Sequence, residues 1–248
     1  MTKKDEVDDP RRSFLVRLLA AGAFALALPL AAQRRVLAEV PGPMPPGRSI
    51  YKLKGSVRVN GQPASLASVI TPSDLIETGA DGFVIFVVGK DAFILRANSS
   101  LQLSANAGAG GEDGTVKQTT ISLMRLTTGK VLSVFGKGEH AIATPTASIG
   151  IRGTGIYVES EPDETYVCTC YGTADIAAAG DPASRETVVS THHSAPRYVA
   201  ASGSGGQLIQ PAPFKDHSDE ELLLIETLVG RTTPFVVPGR TRTRRRRY

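Results

Sequence analysis

The chain has 248 residues, of which 41% are hydrophobic and 21% are charged. This length allows one or two domains, and the hydrophobic fraction excludes a chain that is disordered throughout. Only one long apolar stretch occurs, which excludes a polytopic membrane protein, and two cysteines are too few for a disulfide scaffold. The net charge of +4 is unevenly spread, because residues 39–239 carry 15 basic and 20 acidic side chains. The basic pI therefore comes from the two chain ends and does not indicate a nucleic-acid-binding domain.

Residues 1–38 have the pattern of an export signal. An Arg-Arg-x-Phe-Leu core begins at Arg11, and an Ala/Leu-rich apolar run follows over 18–32. The run is shorter than the ~20 residues that a membrane-spanning helix needs. The core resembles a twin-arginine (Tat) signal. We expect cleavage after Ala32 or Ala38 and a periplasmic or otherwise extracytoplasmic protein without a transmembrane span. The alternative is an uncleaved segment that anchors the protein in the membrane.

The segment after the signal predicts an all-β domain. Residues 39–49 are a Pro/Gly linker with no element of their own. Asn60-Gly61 is a hairpin turn signal, and Phe83–Val88 is a continuous β-branched and aromatic run of strand length. Similar short apolar stretches, separated by turn signals and without helical periodicity, continue to residue 178. We therefore predict an all-β domain over 50–178.

The C-terminal region predicts one helix and a basic tail. In the extension 179–231, a capping box begins at Ser218, and apolar residues follow at helical spacing, which predicts an amphipathic helix over 219–229. We expect its apolar face to dock on the β domain, with binding of a partner as the alternative. Residues 232–248 contain two prolines and an arginine cluster and are predicted to be disordered.

The arginines of the tail suit an anionic surface. No aromatic side chains are interleaved with the arginines, as they would be for specific nucleic-acid binding. In the envelope, anionic lipid or lipopolysaccharide is the expected contact, and a solvated tail without a partner is the alternative.

A set of motifs resembles the FecR domain of bacterial envelope regulators. The stretch 55–103 contains Glu77-Thr78-Gly79, and Gly129-Lys130-Val131-Leu132 is followed by the block TPTASIGIRGT at 144–154. The resemblance implies an extracytoplasmic β-rich module with a compact solenoid-like or sandwich-like fold. It also implies action through protein contacts rather than enzymatic turnover. Because only ten residues precede Arg11, we expect a stand-alone FecR-like module that senses or binds an unidentified envelope protein, without an anti-sigma segment.

The block 144–154 also has a physical interpretation. Gly150, Gly153 and Gly155 remove side chains where strands bulge or approach closely, which predicts structural corners. Arg152 between them is interpreted as a buried, paired charge. The glycine spacing does not match a dinucleotide-binding fingerprint.

Cysteines and histidines form the main candidate site. Cys168 and Cys170 lie in a predicted strand, where residues i and i+2 point to one face, so their thiols should lie side by side. Bridging them would strain an extended backbone. His192, His193 and His217 follow downstream. The three histidines and two cysteines together predict a metal site.

Thiolate and imidazole ligands suit Zn(II) or Cu(I). Adjacent His192 and His193 would point in opposite directions in a strand, so only one of them should bind. The alternatives are a buried thiol pair, a vicinal disulfide or a bridge to another chain, with the histidines on a surface loop. A redox-active C-x-C pair is the competing functional hypothesis. We predict no enzymatic site, because no nucleophile elbow or P-loop occurs and His140 stands alone before a strand.

Overall fold

The computed structural model of the protein describes residues 41–105, 121–202 and 207–237. These residues form fourteen strands followed by one helix, and the all-β prediction is confirmed. The strands are β1 (Ile50–Lys54), β2 (Val57–Val59), β3 (Gln62–Pro63), β4 (Leu75–Thr78), β5 (Phe83–Val88), β6 (Asp91–Leu95), β7 (Ser100–Ala105), β8 (Ile121–Val134), β9 (Glu139–Ala143), β10 (Ala147–Ser160), β11 (Glu164–Ala178), β12 (Arg185–Ser190), β13 (Arg197–Ala200) and β14 (Ile209–Pro211). The helix α1 spans Asp219–Leu228.

All of these strands belong to one sheet that curls into a barrel-like arrangement with additional strands. The curling follows from three long strands that change neighbours along their length. Strand β8 pairs with β7 and β9 in its first half and with β6 and β10 in its second half. Strand β10 pairs first with β9 and then with β8, and β11 pairs first with β13 and then with β12. Each change of neighbour turns the sheet around a shared interior.

Glycines lie where two of the long strands change neighbours. Gly153 has φ +58 and sits in the β10 bulge between the β9-paired and β8-paired halves. Gly129 has φ +91, and a Cβ there would collide with Ser99. A side chain is disfavoured at both positions because L-residues rarely adopt positive φ. Arg152, beside the bulge, pairs with Asp175 at 2.5 Å but is 63% exposed, so its expected burial was wrong.

The sheet is buried on both faces where β5, β6, β8, β10 and β11 lie. Its concave face encloses an inner core of mostly Val, Ile and Leu side chains. Its opposite face carries an outer core, which α1 and the segments around Met44 and Phe235 cover. The continuous apolar run of β5 follows from this arrangement, because Val84 and Phe86 enter the inner core whereas Ile85 enters the outer core.

The flanking segments were predicted as a linker, an extension and a tail. Residues 41–49 contain no helix or strand, and the Met44 amide donates to the Leu228 carbonyl at 2.8 Å. Beyond residue 178, β12, β13 and β14 extend the same sheet. Within the predicted tail, Thr233 and Val237 are buried, so residues 232–237 pack on the body.

The predicted signal over 1–38 and the arginine-rich residues 238–248 lie outside the described residues. No helix within the described ranges is long and apolar enough to cross a membrane.

Candidate metal centre

Four donor side chains from three parts of the chain meet in the outer core. Cys168 and Cys170 project from β11 onto the outer face, and both are fully buried. His193 lies in the loop between β12 and β13, and His217 directly precedes the N-cap of α1. Their donor atoms all lie within 4.8 Å of one another. The structure thus brings together four of the five residues predicted as ligands.

The distances within this cluster are short and uniform. Cys168 Sγ lies 3.5 Å from His193 Nδ1, and Cys170 Sγ lies 3.4 Å from His217 Nε2. The two imidazole nitrogens, His193 Nδ1 and His217 Nε2, are 3.1 Å apart. Both cysteines are free thiols, without a disulfide. The four donor atoms are therefore close enough together to contact one ion.

Acceptors on the far side of each ring orient the two histidines. His193 Nε2 donates to Asp219 Oδ1 at 3.0 Å, and His217 Nδ1 donates to the Lys215 carbonyl at 2.7 Å. Carboxylate and carbonyl oxygens only accept, so they favour protons on these outer nitrogens. The inner nitrogens then face each other with lone pairs. Two lone pairs at 3.1 Å repel unless a proton or a cation lies between them.

His192 lies outside the four-donor cluster. Its side chain is 49% exposed, and its Nε2 contacts Asp219 at 2.9 and 3.0 Å. The two adjacent histidines do not lie in a strand, and His193 has φ +49, so strand alternation does not set their directions. The turn instead aims both rings at Asp219 and leaves only His193 beside the thiols.

The segment 213–218, which carries His217, is held by a buried polar network that sequence reasoning missed. Glu159 accepts from Tyr157 Oη at 2.7 Å and from Lys215 Nζ at 2.7 Å, although its side chain is only 4% exposed. The Lys215 ammonium lies 4.6 Å from the centre of the Tyr166 ring. The Tyr157 ring stacks on His217 with a centroid distance of 4.5 Å. These contacts within the protein hold the His217 ring in position without a metal ion.

The protein environment shifts the pKa values of the two thiols in opposite directions. Contact with Cys170, and to a smaller extent with His193 and His217, lowers the pKa of Cys168 to about 4 against the effect of burial. Burial raises the pKa of Cys170 well above its ordinary value. Burial alone would lower the pKa of His193, but Cys168 and Asp219 raise it. One thiolate is therefore favoured in the cluster, and thiolate is the form that ligates metals.

Hydroxyl groups explain part of the block 144–154. Thr165 Oγ1 lies 2.6 Å from both Thr144 Oγ1 and Thr146 Oγ1, and all three threonines are buried. Thr146 also donates to the Val199 carbonyl at 3.1 Å. The block thus joins β10, β11 and β13 through satisfied polar groups.

His140 is packed within the fold. It is 4% exposed, its Nδ1 lies 2.7 Å from the Ile121 carbonyl, and its ring packs on Phe135 at 4.8 Å. These contacts give His140 a role in packing, and it is not one of the four clustered donors.

No protein-family model and no curated protein matches the chain. Two crystal structures of a protein described as a putative anti-sigma factor from Parabacteroides distasonis are distantly similar to it. The first shares 12% sequence identity at a TM-score of 0.40, over 56% of this chain and 58% of that chain. The second shares 11% identity at the same TM-score and coverage. The chain thus matches little more than half the length of that protein.

Proposed function

We propose that the protein is a non-enzymatic, FecR-like module of the bacterial envelope that binds a metal ion and senses or contacts another envelope protein. The convergence of Cys168, Cys170, His193 and His217 carries the metal-binding part. The motifs at 55–103 and 144–154 support the FecR-like part, because they resemble that domain in type and order.

The donor set fits Zn(II) or Cu(I). Metal–sulfur bonds of about 2.3 Å and metal–nitrogen bonds of about 2.0–2.1 Å place sulfur and nitrogen ligands roughly 3.5 Å apart in a tetrahedral site. The two sulfur–nitrogen distances of 3.5 and 3.4 Å agree with this spacing. Asp219 and the Lys215 carbonyl supply the outer acceptors that metal-bound histidines usually have. A cation would also relieve the repulsion between the facing imidazole nitrogens.

Elemental analysis tests the metal site. The full chain is purified from the envelope, and bound metal is measured for the wild type and for Cys168→Ser/Cys170→Ser. We expect close to one equivalent in the wild type and loss of the metal in the double variant. Thr169→Ser is the matched control, because Thr169 lies between the cysteines on the same strand. Equal metal content in the double variant and the wild type would contradict the proposal.

A redox role for the C-x-C pair is the second candidate, and the lowered pKa of Cys168 favours it. Burial of both sulfurs opposes it, because a redox thiol must reach its partner. Alkylation of the folded protein separates the two hypotheses. Because both thiols are buried, the rate of alkylation is compared: metal binding predicts faster alkylation after chelation, whereas a redox pair predicts the same rate with and without a chelator.

Export and partner binding are proposed from the sequence. The twin-arginine-like core at Arg11 and Arg12 supports extracytoplasmic localisation. Fractionation of cells that express Arg11→Lys/Arg12→Lys tests it, because the paired substitution should retain the protein in the cytoplasm.

Co-sedimentation with neutral and anionic vesicles tests whether the arginines of 240–247 contact an anionic surface.

A further inference from the structure

We infer that His192 and Asp219 form a surface capture site that takes up a divalent cation and passes it to the buried four-donor cluster. This inference rests on the proposed metal site and adds how the ion reaches it. His192, His193 and Asp219 form a second group whose donor atoms lie within 4.8 Å of one another.

The carboxylate of Asp219 connects the two groups. Its Oδ1 contacts His192 Nε2 at 2.9 Å and His193 Nε2 at 3.0 Å. The opposite nitrogen of His193 faces Cys168 and His217. One side chain, His193, therefore touches the surface pair with one nitrogen and the buried donors with the other.

Exposure decreases steadily along this line of residues. The His192 side chain is 49% exposed, Asp219 is 18% exposed and His193 is 9% exposed, whereas both cysteines are fully buried. An ion from solvent would meet His192 first. Of the residues in the two donor groups, His192 is by far the most accessible.

Aromatic rings flank the same line. Phe235 packs on His192 with a centroid distance of 4.4 Å, and Phe214 packs on His193 at 4.6 Å and on His217 at 4.6 Å. These rings offer a cation no oxygen or nitrogen ligand. The His192–Asp219 pair is therefore a polar group that lies beside apolar rings.

The ligand types favour a divalent ion over Cu(I). Imidazole and carboxylate suit Zn(II), whereas Cu(I) prefers thiolate and thioether ligands. The proposed step is ligand exchange without electron transfer. Zn(II) loses water ligands as His192 and Asp219 bind it. It then exchanges His192 and Asp219 for the buried donors. The protons still held by the cysteine and histidine donors leave to water.

Exchange kinetics with Zn(II) test the capture site. A chromophoric chelator withdraws zinc from the full-length loaded protein, and zinc is added back to the apoprotein while both rates are recorded. Wild type is compared with His192→Ala. The matched control is Glu220→Gln, which removes an exposed charge next to Asp219 but belongs to neither donor group. Equilibrium affinity is measured in parallel by competition.

We expect His192→Ala to slow both loading and release by several-fold while affinity stays within about twofold, because His192 would act on the path and not in the final site. Glu220→Gln should leave both rates unchanged. Unchanged rates in His192→Ala would overturn the capture site, as would a loss of affinity as large as that of His193→Ala. If wild type binds no zinc but retains Cu(I), the metal site stands and the divalent capture site fails. If wild type binds neither metal, the proposed metal-binding function fails as well.

Discussion

The inner and outer cores lie on opposite faces of the same strands, yet their compositions differ. The inner core consists of aliphatic side chains with three phenylalanines and contains no tyrosine or cysteine among its buried members. The outer core contains three tyrosines, both cysteines and the apolar residues of α1. At its margins lie two buried carboxylates, Glu159 and Glu226, each paired with a basic side chain.

The two cores therefore have different roles: the inner core stabilises the fold, and the outer core holds the candidate metal ligands. Aliphatic packing stabilises the curled sheet, and the buried members of the inner core offer no imidazole, carboxylate or thiolate to a metal ion. The outer core is closed by a segment that arrives late in the chain, and polar contacts fix that segment at several points. The candidate metal centre lies where the covering segment meets the sheet. Substitutions in the two cores should therefore affect stability and metal binding in different proportions.

The largest expected effect is in the inner core. Phe93 is fully buried and stacks on Phe86 with a centroid distance of 4.8 Å. Phe93→Ala should lower the free energy of unfolding by about 3–5 kcal/mol, because it leaves a cavity in the buried inner core. Urea denaturation measures this loss, and metal content per folded molecule should be unchanged. Phe93→Leu, which leaves a smaller cavity, should lose less stability. Metal loss without destabilisation would contradict the separation of the cores.

Glu159→Gln should affect both properties, because Glu159 anchors the segment that carries His217. The amide keeps the size of the side chain but removes the charge that pairs with Lys215 and Lys130. We expect a loss of about 1–3 kcal/mol in the free energy of unfolding and several-fold weaker metal affinity. Denaturation and chelator competition measure the two effects. The exposed acid Glu164 lies on neighbouring β11, and Glu164→Gln should change neither quantity.

Ser218→Ala tests the junction between helix and metal centre. Ser218 Oγ accepts from the Glu221 amide at 3.3 Å, and the Ser218 amide donates to Glu221 at 3.1 Å. Removal of the cap should cost about 1 kcal/mol in the free energy of unfolding. Because Ser218 lies between His217 and Asp219, fraying there should also speed metal release. Ser218→Asp retains a capping oxygen and should restore both stability and slow release.

Much of the fold could be predicted from local patterns. Phe83–Val88 was predictable as a strand because six consecutive apolar residues suit a segment buried on both faces. The helix could be placed because the capping box at Ser218 precedes apolar residues at helical spacing. The exposure of Arg152 was also predictable locally, because Ile149 and Ile151 are buried and strand alternation places Arg152 on the opposite side of β10.

The candidate site was predictable only where it depends on local patterns. Alternation in β11 placed both thiols on one face, and that rule is local. The choice between His192 and His193 depended on a turn with positive φ at His193, which strand geometry does not describe. The roles of Asp219 and Glu159 depend on contacts between segments far apart in the chain. No residue spacing predicts such contacts.

A partly exposed ion pair between β12 and β13 gives a reference for these comparisons and should show the smallest effect. Arg197 bridges Glu186 through two hydrogen bonds of 2.7 and 2.5 Å, and this contact lowers the pKa of Glu186. A carboxylate with a lowered pKa in the folded state contributes stability above its ordinary pKa, and that contribution is lost as the pH falls through the folded value. Because solvent screens the pair, Glu186→Gln should cost about 0.2–1 kcal/mol at neutral pH. The difference from wild type in urea denaturation should shrink below about pH 4. A difference that grows in acid would reverse the assigned sign, and any change in metal affinity would mean that this edge of the sheet is coupled to the outer core.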